Sequence, residues 1–462
     1  MNSSKKHLLA ETPKMSFLEK FGFAAFSTSN NICFQFKSLY YMFFLTNVLG
    51  ISIATAGTVF AIGTVWDAVN DPLIGYAALN HKFKNGEKIR PYILTSVPWA
   101  VSIVLLFTPF GGSEAMKAVL ALIIYFIFEA LNTYCGIPYN GMGAVATNRD
   151  EDRRSLNAYR NIGGCMGTAV GALACLPLLK LLGAMDQKGN LSSGAKLGFM
   201  EAAAIMGAIC IIGALIHYFT TKERVHQVEE SDERISFKEV IRMLFSYGSF
   251  VRNTIYIVCY GCINALLLTC ITYYATYVLG STAAATPIQA AYLVVSLGMT
   301  FVVGIIDRKF GRRKTMMIGA AFYIISKIWF IIDPSNPASM YVNAAATGVG
   351  VSISFVMFNT NRNNIVDLVE DREGKRLDSM VATVDNLVAK LAQSLVTWLM
   401  GIFLAHAGFD AALAVQPDSV KGALTFLLGW APMIIGAIML INVTGFKIEK
   451  EFNELKQRRQ QI

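Results

Sequence analysis

The 462-residue chain is 54% hydrophobic and only 15% charged, with a mean hydropathy of +0.47; that is too apolar for a soluble protein and points to many helical membrane spans. The net charge of +9 is scattered between apolar runs rather than gathered into a patch, which argues against nucleic acid and for basic loops on one membrane face. The eight cysteines lack metal-type spacing and fall mostly in apolar runs, as small apolar residues do.

Residues 1–20 are polar and lack the apolar core and cleavage pattern of a signal peptide, which predicts a cytosolic lead-in. About twelve apolar stretches of roughly 20 residues or more follow. They lie near 21–48, 52–79, 92–111, 117–147, 156–182 and 197–220, then 252–279, 287–306, 315–333, 339–367, 378–405 and 422–446. The long polar interval between the sixth and seventh carries Lys222, Glu223, Arg224, Glu229, Glu230, Asp232 and Glu233. The expected architecture is an all-α membrane protein: cytosolic segment 1–20, six-helix bundle 21–220, cytosolic linker 221–251, six-helix bundle 252–446 and cytosolic tail 447–462. Lys82, Lys84, Lys88 and Arg90 follow the second span, Arg149, Arg153 and Arg154 the fourth, Arg308, Lys309, Arg312, Arg313 and Lys314 the eighth, and Arg372, Lys375 and Arg376 the tenth. Alternate connections such as 50–52 and 333–339 are nearly free of basic residues, so both termini are expected in the cytosol.

The second span contains Trp66-Asp67-Ala68-Val69-Asn70-Asp71-Pro72. Helical spacing puts Asp67, Asn70 and Asp71 on one face. Two like charges there repel, and each is costly in a low-dielectric medium unless neutralised. A small hard cation such as Na⁺ resolves the conflict because it prefers clustered oxygen ligands. A shared proton is the competing solution, and a polar knot between helices the plain structural one. Pro72 has no N–H and crowds the Ala68 carbonyl, leaving backbone oxygen free nearby.

The eighth connection reads Gly304-Ile305-Ile306-Asp307-Arg308-Lys309-Phe310-Gly311-Arg312-Arg313-Lys314, which resembles the loop motif of major-facilitator transporters. Glycine permits a tight turn there, and Asp307 is placed to pair with an arginine or a helix end; simple topogenic charge is the plainer reading. Asp67-Ala68-Val69-Asn70-Asp71-Pro72, then Gly75, Gly86, Arg90, Pro91 and Tyr92, resemble the glycoside–pentoside–hexuronide:cation symporter family of that superfamily, which includes the melibiose carrier. Thr46-Asn47-Val48-Leu49-Gly50, Gly136-Ile137-Pro138-Tyr139, Arg153, Leu156, Tyr159-Arg160, Asp367 and Lys390 extend the likeness over nearly the whole chain.

The resemblance implies a major-facilitator fold of twelve transmembrane helices in two six-helix halves. It places the coupling cation on Asp67, Asn70, Asp71 and the fourth-span hydroxyl of Thr133, with Asp67 and Asp71 as the charged ligands of Na⁺. Beside Thr133, Pro138 leaves the Tyr134 carbonyl without a helical partner, a second oxygen-rich break opposite the first. Lys390 matches an eleventh-span lysine near that site, where an ammonium would neutralise the carboxylates once the cation leaves; a fixed charge pair is its structural alternative. The family's first- and fourth-span sugar aspartates are Asn31 (beside Asn30) and Gly136 here, whereas its arginine remains as Arg160. That exchange makes the expected pocket more positive than a galactoside site.

Lys37 and Gln35 in the first span, Glu129 in the fourth and Asn359-Thr360-Asn361-Arg362-Asn363-Asn364 in the tenth cannot all face lipid. They suit a substrate rich in hydrogen-bond acceptors, an acidic one if Arg160 or Arg362 holds its acid group. Pairs Lys37–Glu129 and Arg362–Asp367 are the structural alternative. Tyr40, Trp66, Tyr139 and Phe355 are candidates to stack on a sugar ring. Expected substrate contacts are thus Asn30, Asn31, Arg160, Lys390, Trp66, Tyr139, Lys37 and Arg362. Asp152, Arg153, Asp307, Arg308 and Asp367 form the expected cytosolic gate. Gly163-Gly164-Cys165-Met166-Gly167 and Gly348-Val349-Gly350 read as close helix contacts rather than nucleotide loops.

The sequence therefore predicts a plasma-membrane (inner-membrane) secondary transporter that works as a monomer, with no cofactor beyond a coupling Na⁺ or H⁺. Its cargo would be a glycoside, an acidic sugar or a related small polar solute, moved by alternating access. A lysolipid-type cation-coupled carrier and a non-transporting solute sensor are the alternatives. No set of catalytic groups stands apart from what transport explains, so an enzyme is not expected.

Overall fold

The computed structural model describes residues 12–80, 83, 87, 89–147, 149–224, 237–373, 378–411, 413, 415–446, 448, 451 and 454; the side chains of some helical residues, Arg153 among them, fall outside the description. Long apolar runs must satisfy their backbone groups internally when water is absent, and helices do this within one segment. The helices are α1 (Phe17–Phe43), α2 (Ile53–Asn80), α3 (Ser96–Leu106), α4 (Glu114–Ala146), α5 (Asp150–Leu181), α6 (Ala195–Thr220), α7 (Phe237–Ser246), α8 (Gly248–Tyr277), α9 (Ala285–Phe310), α10 (Arg312–Ile332), α11 (Pro337–Glu373), α12 (Asp378–His406), α13 (Asp418–Thr425) and α14 (Ala431–Thr444). A π turn, Phe44–Val48, prolongs α1, a 3-10 turn, Arg90–Thr95, leads into α3, and a second π turn, Phe426–Trp430, joins α13 to α14.

Each apolar stretch expected from the sequence falls on helix. Among the described residues, nine spans are long and apolar enough to cross a bilayer, and the segment Arg90–Leu106 is apolar but shorter. One element departs from the sequence reading: α7 lies inside the interval taken as a polar linker, with Leu244 buried and Phe245 exposed. Its apolar residues recur at helical spacing, a signal that the surrounding charges obscured.

Glycine sets the tightest approaches. A Cβ at Gly163 would lie 2.3 Å from the Ala24 carbonyl oxygen, and one at Gly167 2.2 Å from that of Thr28, so α5 can press on the α1 backbone only without side chains. Gly348 approaches the Tyr292 carbonyl of α9 in the same way, at 2.5 Å. Both small-residue runs are thus packing surfaces. Gly311 ends α9 at φ +80° and α10 begins at the next residue, which is the tight turn the loop motif implied.

The N-terminal helices α1 to α6 pack among themselves, as do α8 to α14, and the two sets meet most extensively where α2 lies on α12. There Gly57 faces Gly401, and Ser394 Oγ donates to the Ala61 carbonyl at 2.9 Å. Further contacts join the ends remote from the chain termini. Thr46 Oγ1 lies 3.0 Å from Tyr273 Oη, Asn47 donates to Tyr277, and Ser281 donates to the Lys188 carbonyl.

Candidate functional site

Helices α2 and α4 run side by side in one direction, and glycine again sets the distance. A Cβ at Gly63 would sit 2.0 Å from the Tyr125 ring. One turn further along each helix come Asp67 and Glu129, both buried. The next turn brings Asn70 and Asp71 against Thr133. Asn70 Nδ2 donates to Thr133 Oγ1 at 3.1 Å, and that hydroxyl is 2.9 Å from Asp71 Oδ1 and 3.0 Å from the Glu129 carbonyl.

The opposite wall comes from α12. Lys390 Nζ stands 2.7 Å from Asp67 Oδ2 and 2.6 Å from Asp71 Oδ2, so one ammonium bridges both carboxylates. The four residues expected to hold a cation are therefore gathered, and Lys390, an expected substrate contact, lies against two of them. Asp67 Oδ1 is buried without a hydrogen-bond partner. Two carboxylates, an amide and a hydroxyl make an all-oxygen set suited to a small hard ion. Among the described residues no three His, Cys, Asp or Glu side chains are grouped as a metal centre would require.

Lys37, an expected substrate contact, is turned to Glu129 in this structure. It is 6% exposed, ion-paired with Glu129, and set 4.7 Å from the Tyr125 ring centroid and 5.2 Å from those of Phe34 and Phe128. Glu129 is the residue the sequence reading undervalued; it lies one turn before Thr133 on the same face, and that spacing was visible.

Several other expected contacts are turned elsewhere. Tyr139 is buried among Phe23, Phe26 and His217, with its hydroxyl donating to the Phe23 carbonyl at 2.8 Å. Tyr40 is buried against Phe36 and Phe199. Trp66 stacks on Phe126 and donates to its carbonyl at 3.2 Å, so it is committed to the α2–α4 contact. Asn31 donates to the Ser27 carbonyl of its own helix at 2.8 Å, and Asn30 beside it is half-buried. Arg160, half-buried, donates to Asn140 Oδ1 at 3.3 Å. Arg362 donates to Asn359 of its own helix, while Asp385 on α12 is buried with neither carboxylate oxygen hydrogen-bonded.

The expected gate is not one cluster. Asp152 is buried on the N-terminal side, where it accepts from the Met15 N–H at 3.1 Å and pairs with Lys20 at 3.1 Å and Arg149 at 3.5 Å. Burial pushes its carboxyl up, but these donors outweigh that and hold it below the usual carboxylate range. It fastens the lead-in to the α4–α5 turn rather than one half to the other. Asp307 forms no ion pair among the described residues and has a buried Oδ1 without a partner; its backbone carbonyl caps the turn at Gly311. Arg308 is exposed, Asp367 is half-buried on α11, and the Arg153 side chain lies outside the described residues.

A family described as MFS/sugar transport protein matches residues 22–450. The chain belongs to that family. It is similar to an uncharacterized symporter, YjmB, of Bacillus subtilis (26% identity over 95% of this chain and 94% of that one). It is also similar to the inner membrane symporter YicJ of Escherichia coli (28%, 91% and 89%) and to the isoprimeverose transporter of Lactiplantibacillus pentosus (27%, 94% and 89%). Among solved structures, a bacterial homologue of the human lysosomal transporter Spinster, in an inward-facing and unoccupied conformation, superposes with a TM-score of 0.70 at 16% identity, over 96% of this chain and 99% of that one.

As a member of the MFS/sugar transport family, the protein is a multi-pass transporter of the plasma membrane and not an enzyme. Its fold is all-helical and of the major-facilitator type.

Proposed function

We propose that the protein is a cation-coupled symporter of a glycoside or related small polar solute, with Na⁺ favoured over H⁺ and Asp67, Asn70, Asp71 and Thr133 as its ligands. The observation that carries this is the bridge from Lys390 to both carboxylates, since it joins the two helix sets through the very oxygens a cation would use. The cation and the ammonium compete for those oxygens. Cation occupancy releases α12 from α2, while the ammonium neutralises the carboxylates for the return of the cation-free carrier. By linkage, substrate and cation must raise each other's affinity equally.

Two internally packed helix sets support a carrier of two halves, which goes with twelve spans, cytosolic termini and a monomeric carrier in this proposal. Contacts between the helix sets then lie toward the external end, the arrangement of a carrier open to the cytosol. The cargo reading changes in one respect. Lys37 is ion-paired with Glu129 and offers no free positive charge, whereas Arg160, hydrogen-bonded to the neutral Asn140, keeps its charge for an acid group. The name of the isoprimeverose transporter points to a glycoside as the class of solute. One feature favours a lysolipid instead, an apolar cavity of about 530 Å³ lined by Leu266, Leu399, Phe403, Phe426 and Leu427.

Binding heat on purified protein, with neutral glycosides, uronides and lysolipids screened with and without Na⁺, tests these readings together. Na⁺-dependent glycoside binding that vanishes in D71N is expected. Binding that ignores Na⁺ but shifts with pH would transfer the site to protons, and binding of lysolipids alone would overturn the sugar reading.

A further inference from the structure

The face of α8 turned toward the N-terminal helices carries an amide with one group unused. On its other sides α8 is packed: Tyr256 Oη is 3.2 Å from Ser354 Oγ of α11, Cys262 Sγ reaches the Ala392 carbonyl of α12 at 3.8 Å, and Arg252 the Asn442 carbonyl of α14 at 2.9 Å. The remaining face runs through Asn264, Ala265 and Leu268, all half-buried, to Thr272, whose hydroxyl is 3.4 Å from the Leu39 carbonyl of α1. The two helices run in one direction and stay in contact beyond that point, with Phe43, Thr46 and Asn47 against Tyr273 and Tyr277. Inward of it, α1 presents an exposed Phe34 and a half-buried Asn31. Asn31 precedes Leu39, and Asn264 precedes Thr272, by the same eight positions, ~12 Å along a helix. The two amides therefore stand at one depth, on the two sides of the cleft between the helix sets.

Each amide has one end committed and the other free. Tyr292 Oη of α9 donates to Asn264 Oδ1 at 2.9 Å, and Asn264 Nδ2 donates to no described residue. Asn31 is the converse: its Nδ2 donates to the Ser27 carbonyl at 2.8 Å, and its Oδ1 accepts from no described residue. Neither free atom is buried. Tyr292 is 6% exposed, and α11 presses on its backbone where a Cβ at Gly348 would lie 2.5 Å from its carbonyl oxygen, so the amide is held from a fixed point. Satisfying the Tyr292 hydroxyl uses Oδ1 alone. The N–H left over lies within a span, where an unpaired donor is costly. We infer that Asn264, oriented by Tyr292, is the C-terminal helix set's hydrogen-bond donor to a hydroxyl-bearing solute, opposite the acceptor Asn31. A polyol suits both amides, because each hydroxyl accepts as well as donates. Touching both helix sets, it gains contacts as they close on it, and so favours the closed state. Asn264 meets the solute itself; Tyr292 is a positioning residue.

This inference rests on the proposed glycoside reading, and two measurements on the full-length protein test it. The first needs no solute. In inside-out vesicles N264C should react with a membrane-impermeant maleimide, read at position 264 by peptide mapping, under conditions that label N140C at an exposed position of α4. A thiol at 264 that stays unmodified would overturn the inference. The second is binding heat, with Na⁺ present, for methyl glucosides and xylosides and their monodeoxy derivatives. N264L is expected to weaken the best-bound glycoside by about tenfold, the loss of one hydrogen bond, and Y292F by about threefold. Sodium affinity should stay within about twofold of the parent in both. The hydroxyl that meets Asn264 is the one whose removal costs the parent about tenfold and costs N264L nothing, a readout that a merely structural role would not move. Equal penalties in N264L and the parent at every hydroxyl would overturn the inference, even where N264L binds weakly. A parent that binds no methyl glycoside overturns the glycoside reading and this inference with it, whereas parent binding that N264L leaves unchanged overturns this inference alone.

Discussion

Replacing Lys390 by methionine isolates the charge at the α2–α12 junction, because the stem is kept and only the ammonium is lost. The contacts removed are those of 2.7 and 2.6 Å to Asp67 and Asp71. The side chains are 32%, 12% and 31% exposed for Lys390, Asp67 and Asp71. The loss should thus fall between the ~1 kcal/mol of an exposed pair and the ~3–5 kcal/mol of breaking a wholly buried one, at about 2 kcal/mol. In Na⁺-free buffer K390M should therefore unfold at a temperature lower by roughly 2–4 °C. Sodium would then meet two carboxylates with no competing ammonium, and the same 2 kcal/mol corresponds to an affinity higher by about 30-fold. A Na⁺ titration followed by thermal unfolding reads both quantities, since stabilisation grows with the logarithm of occupancy. Net uptake should fall while exchange of internal for external substrate persists, because only the return of the cation-free carrier needs the lysine. Weaker Na⁺ binding in K390M than in the parent would refute competition between ammonium and cation.

Thr133→Ala removes the hydroxyl that joins Asn70 to Asp71, costs about 1–2 kcal/mol and should weaken Na⁺ binding by roughly 5- to 30-fold, with Thr133→Ser nearly silent in the same titration. Gly167→Val places a Cβ 2.2 Å from the Thr28 carbonyl oxygen and should abolish monodisperse protein in size-exclusion chromatography, whereas Gly298→Ala, with open space around it, should not. The carboxyl of Asp152 sits lower in the folded state than the ordinary ~4 of an unfolded chain, so its contribution is present above that value and lost as pH falls through the folded one. D152N should therefore loosen the lead-in at neutral pH, seen as faster amide exchange at residues 15–20, and match the parent in strong acid.

The sequence by itself determined what obeys a local rule. Lipid forces backbone groups to pair within each segment, so apolar runs of sufficient length had to become helices, and their positions were legible. The shared face of Asp67, Asn70 and Asp71 follows from helical spacing, and the close packing at Gly163 and Gly167 from the absence of side chains. The tertiary structure alone decided which faces meet. Lys390 reaches Asp71 across 319 positions of chain, Lys37 turns to Glu129 and aromatic rings, and Tyr139 is sealed among aromatics. A helix records which residues share its face but not which neighbour that face will meet; that is settled when many helices pack at once, and the charge balance of the site exists only after they have done so.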